Sequence, residues 1–184
     1  TSSGAIQLFA ALLIVNVLPI INLSGALKLK QVETVLERCH PPVSIPDDVR
    51  EALLGGGVYH GGQAFGNYKW KQIVYLIEVA QHFKQLPDQR RIDALADPLI
   101  FREEVDTVST GQAAQRQSLL YLAFPDFFLP IVSAEHRRLM RDAFAAEYLD
   151  RQIGDVDTDL HDIYEAIREK HGVVDLYASP WVEK

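Results

Sequence analysis

Apolar residues recur at helical spacing along nearly the whole 184-residue chain, and prolines cut that pattern into short pieces. No segment alternates apolar and polar residues for the length of a strand, and no unit repeats. The expected fold class is therefore all-α: one irregular domain over 1–184, built from seven to nine helices. The first helix is expected over 5–18, apolar almost all round and so buried, with Pro19 ending it. Ser24 is placed to cap a second helix, where Leu27, Val32, Val35 and Leu36 form a stripe and Lys28 and Lys30 count among the solvated positions. Pro46-Asp47-Asp48 suits a first turn, with acids where the helix dipole favours them. Asp97-Pro98 reads as a cap followed by a proline at the first helical position. Ser133 caps a helix to about 148, and Asp157 or Thr158 opens the last one.

One stretch breaks the pattern. Gly55 to Asn67 holds six glycines, too many for a helix or a regular strand, so a loop is expected there. A long helix follows from Tyr68 to Gln85, with Trp70, Ile73, Val74, Ile77 and Ala80 on one side. Two readings of the loop stay open. It presents Tyr59, His60, Phe65, Tyr68 and Trp70 to a base or a partner, or its aromatics tuck into the core and plug the space the glycines leave.

Charge narrows the partners. The formal net charge is −7, which argues against strong nonspecific attraction to nucleic acid or anionic lipid. Residues 1–91 hold nine Lys/Arg against seven Asp/Glu, a balance of +2, whereas residues 92–184 hold nine against eighteen, a balance of −9. A polyanion would meet the first half, or a local patch such as Arg137 and Arg141, which lie four apart on one helix face. The apolar run Ile6 to Ile21 is interrupted by Gln7, Asn16 and Pro19 and falls short of the roughly 20 residues a membrane span needs, so a core helix is expected rather than an anchor. The single cysteine, Cys39, rules out an internal disulfide and suits a reducing, cytoplasmic setting; it reads as a packing residue.

No motif commits the chain to a reaction. The phosphate-binding pattern G-x-x-x-x-G-K-[ST] is absent, as is G-x-G-x-x-G after a strand. Asp155-Val-Asp157-Thr-Asp159 begins like a calcium loop, but Leu160 stands where a glycine is needed and Ala166 where a bidentate glutamate is needed; helix capping explains the run more simply. None of the six histidines has a zinc-ligand spacing. No catalytic residue, metal ligand or cofactor is expected, and the chain reads as non-enzymatic.

Two stretches together resemble a family. One is Gly56-Gly57 with Gly62-Gln63-Ala64-Phe65-Gly66-Asn67-Tyr68-Lys69-Trp70, followed by Asp97-Pro98; the other is Ser118 through Phe124-Pro125-Asp126 and Pro130 to Ser133-Ala134-Glu135-His136-Arg137, with Asp175-Leu176-Tyr177-Ala178-Ser179-Pro180 further on. From about Leu12 to Trp181 the chain resembles the helical N-terminal region of McrB-type AAA+ restriction proteins of prokaryotes. The resemblance implies a fragment of a larger multidomain protein, in which a non-catalytic accessory module assists recognition of DNA, including modified bases, or couples it to a AAA+ motor. It implies DNA, the remaining domains or other restriction subunits as partners. On this reading Tyr68 or Trp70 stacks on a base, Asn67 or Gln63 reads a base edge, and Lys69, Lys71, Arg137 and Arg141 meet phosphates. The alternative is an assembly domain without DNA contact, which requires an exposed apolar patch.

Overall fold

The computed structural model describes residues 2–108 and 112–183, the side chains of Gln63 and Ala64 excepted. Among them are ten α-helices: α1 Ser3–Val17, α2 Gly25–Leu36, α3 Asp47–Leu54, α4 Gly62–Asn67, α5 Lys69–Gln85, α6 Asp88–Ala96, α7 Pro98–Asp106, α8 Ala113–Ala123, α9 Ala134–Tyr148 and α10 Val156–His171. A short 3-10 turn, Trp181–Glu183, follows, and a single parallel bridge joins Ile20 to Tyr59. The chain is all-α, as its periodicity predicts. The tenth helix is α4, which lies inside the glycine-rich stretch.

Local chemistry explains most of the boundaries. The side chains of Ser24, Asp97, Ser133 and Asp155 each accept a backbone N–H in the first turn of α2, α7, α9 and α10, which satisfies donors the helix itself cannot. Asp155 therefore opens α10, ahead of the start expected at Asp157 or Thr158. Gly172, at φ +78°, ends that helix in a conformation that favours glycine.

Helix α1 serves two cores. Ala10, Leu13 and Val17 pack with Val32, Leu36 and Leu53 of α2 and α3, while Leu12 and Val15 lean on Ile73, Leu76, Phe101 and Leu120 of α5, α7 and α8. That double duty is why α1 is apolar on most sides. Its asparagine is structural: Asn16 Nδ2 donates to Gln72 Oε1 at 2.8 Å and Gln115 Oε1 at 2.7 Å, joining three helices through buried amides. The first half of α1 departs from expectation, because Leu8 and Phe9 are exposed. Lys28 departs the other way. It is fully buried, and its ammonium donates to Leu18 O at 2.8 Å, at the carbonyl end of α1. Cys39 is buried, as a packing residue should be.

A third core joins α9 to α10 through Phe144, Ile163, Ile167 and Leu176. Among the described residues no helix is long and apolar enough to cross a membrane.

Glu104 of α7 is nearly buried between His82 of α5, at 2.7 Å, and Arg90 of α6. Burial alone would raise its pKa; the hydrogen bonds from His82 and Arg90 outweigh burial and hold the carboxyl below its ordinary range. A carboxyl whose folded pKa is depressed adds stability above its unfolded value, and that stability is lost as pH falls through the folded one. Glu104→Gln should therefore be less stable than the parent chain at pH 7, and the gap should close as pH drops below about 4. Urea midpoints measured across that range check the sign.

Candidate functional site

The glycine-rich segment is held against the chain after α1. Val58 N donates to Pro19 O at 2.7 Å and Ile21 N to Tyr59 O at 2.9 Å. The approach at Gly57 is so close that a Cβ there would lie 2.3 Å from the Ile20 carbonyl carbon, which only glycine permits. This clamp turns Tyr59 inward, where its hydroxyl hydrogen-bonds Ser118 Oγ and its ring meets Phe65 and Tyr121 edge-on, both at 6.4 Å. Burial pushes the Tyr59 hydroxyl well above the ordinary phenol range. Phe65, on α4, is 1% exposed. Tyr59 and Phe65 are therefore core side chains with no face free to stack on a ligand, and of the two readings of the loop the plug describes them.

His60 stays at the surface, its Nδ1 accepting from Gly62 N at 3.1 Å. It borders a cleft of about 680 Å³ that also takes in Ser133, His136, Asp175 and Tyr177. The cleft gathers Gly62, residues of the 130–136 segment, Asp175 and Tyr177. His136 Nδ1 lies 3.2 Å from the Tyr177 hydroxyl, and Tyr177 N donates to Asp175 Oδ1 at 2.8 Å. Burial, with a smaller push from Asp175, raises the Tyr177 pKa. Ser133 Oγ is engaged as the cap acceptor of α9, which leaves it poorly placed as a nucleophile.

The start of α5 has the opposite character. Tyr68 is half exposed and Trp70 is 65% exposed, and the Lys71 ammonium sits 5.1 Å from one ring centre and 5.4 Å from the other, a cation–π pairing on an open ridge. The apolar side of α5 is split: Ile73 is buried, whereas Trp70 and Val74 are exposed. Asn67 is exposed beside them. Gln63 lies in α4, but its side chain is outside the described residues.

Lys69 turns away from this ridge toward α2, donating to Gln31 Oε1 at 2.6 Å. Burial lowers its pKa. It stands between two open grooves that share Phe9 and Leu13, one of about 380 Å³ toward Leu27 and Lys30, the other of about 580 Å³ toward Trp70 and Val74. Neither lining includes a carboxylate. Together they make a lysine-edged apolar surface across α1, α2 and α5.

The two arginines expected to meet phosphate are already engaged. Arg137 is largely buried and pairs with Asp157, which also takes Arg102 at 3.3 Å. Burial lowers the Arg137 pKa, with the nearby Arg116 adding to the effect, while Asp157 opposes both. Arg141 pairs with Asp142 at 2.7 Å. The other carboxylates of the Asp155–Asp159 run are engaged too: Asp155 takes Arg102, and Asp159 is fully buried against Arg151 and the Gly154 amide. Among the described residues no group of three or more His, Cys, Asp or Glu is placed to hold a metal.

Lys30 is exposed as expected, whereas the exposure of Phe9 and Leu27 departs from the core positions their spacing implies. The available signal was the width of the α1 apolar face, which exceeds what one neighbouring core can cover. No family model matches the chain, and no curated protein or solved structure is significantly similar to it.

Proposed function

We propose that this chain is a non-catalytic accessory module of a prokaryotic restriction or anti-phage defence protein, and that it works by docking a protein partner rather than by reading DNA alone. The observation that carries this is the lysine-edged apolar surface formed by Phe9, Leu27, Trp70 and Val74, four large apolar side chains exposed side by side across three helices. Contiguous apolar surface of this kind marks interaction sites. The family resemblance supplies the setting, a AAA+ motor with its other domains or subunits. The neutralised arginines weaken the case for a phosphate-gripping face.

A second reading keeps DNA as the partner, favoured by the Tyr68–Trp70–Lys71 ridge, where two exposed rings and a cation could stack on an unpaired base. Trp70→Ala separates structure from binding. Because Trp70 is exposed, the variant should melt within about 0.5 kcal/mol of the parent chain. It should also lose co-purification with the remaining domains of the parent protein. Retained co-purification would remove the docking reading.

A further inference from the structure

The docking reading leaves the chemistry of the partner open, and the groove narrows it. Lys69 is the informative residue. Its ammonium is drawn out of water at the junction of the two grooves, yet the partner it holds is the neutral Gln31 amide at 2.6 Å. Lys30 rises on the same side, and the one carboxylate within α2, Glu33, is taken by Arg50 at 2.9 Å. A partly desolvated cation beside an amide gains most from a carboxylate brought to it. The floor, Phe9 and Leu13, and the walls, Leu27 and Trp70, offer apolar seats between helices.

Building on the docking reading, we infer that this surface receives an acidic amphipathic helix of a protein partner. Its apolar residues, spaced i, i+3, i+4 and i+7, fill the grooves, and its flanking glutamates or aspartates meet Lys69 and Lys30. The unmatched positive edge sets specificity and excludes basic helices.

The test is a fluorescence-anisotropy titration of the whole chain against two labelled designed helices with identical leucine anchors, one flanked by glutamates and one by lysines. The glutamate helix should bind, weaken with salt, and lose at least about tenfold in affinity to Lys69→Met, a variant whose melting should stay near that of the parent chain. The lysine helix should not bind. Equal binding of both helices, an unchanged affinity in Lys69→Met, or binding of neither overturns the inference. Failure of both helices while Trp70→Ala still abolishes co-purification would discard the acidic helix and keep the docking surface. Co-purification that survives Trp70→Ala would discard the surface itself.

Discussion

Asp157→Ala is expected to lower the unfolding free energy by about 3–5 kcal/mol, because it strands a buried cation. Asp157 and Arg137 are both largely removed from solvent, and Asp157 also holds Arg102 of α7. Without the carboxylate, Arg137 faces the positive charge of Arg116 with only more distant acids to offset it. The damage should fall on the junction of α7, α9 and α10, since Asp157 links the three. Replacing Arg137 with Met and Asp157 with Leu together should recover much of the loss, because the cost lies in the unpaired charge rather than in the missing bridge. Urea denaturation of both variants checks this. A loss below about 1 kcal/mol for Asp157→Ala would mean the pair behaves as a solvated surface bridge.

Phe65→Ala is expected to cost a similar amount, about 3–5 kcal/mol, by opening a cavity under the glycine-rich segment. Phe65 is almost fully enclosed, with Tyr59 and Ile20 in the same cluster and Tyr121 packed against it. Loss of the ring removes the main apolar anchor of α4, so amide exchange in 57–67 should accelerate beyond the global change. Trp70, five residues on, should tolerate alanine. A Phe65→Ala midpoint equal to that of Trp70→Ala would contradict the assignment of Phe65 to the core and Trp70 to the surface.

The helices were largely legible because their signals are local. Caps at Ser24, Asp97 and Ser133 and the break at Pro19 act within a few residues, and the helices begin or end close to them. Helix α4 was not legible. Gly62 and Gly66 are poor helix residues, and what holds the turn in place is the burial of Phe65 against distant segments, a tertiary effect that overrides propensity. The candidate site was legible only in part, for the same reason. The exposed ridge of Tyr68, Trp70 and Lys71 lies where the chain pattern placed aromatics and lysines at a helix start. Whether Tyr59 turned in or out depended on Ser118, fifty-nine residues away. The engagement of Arg137 depended on Asp157, twenty residues on and in another helix. Lys28 shows the limit most plainly. A lysine in an amphipathic helix reads as solvated, yet its burial follows from the carbonyl end of α1 lying above it.

On the proposed docking function, the chain meets a protein surface and does not by itself select DNA. Fluorescence anisotropy of the purified chain against labelled single strands, plain duplex, and duplexes carrying methylated or hydroxymethylated cytosine, each at low and near-physiological salt, tests it most directly. With net charge −7 and its best-placed arginines engaged, the chain should bind every DNA alike at low salt and release all of them as salt rises. A preference for one modification that persists at near-physiological salt would contradict the claim and move the Tyr68–Trp70–Lys71 ridge from partner docking to base recognition.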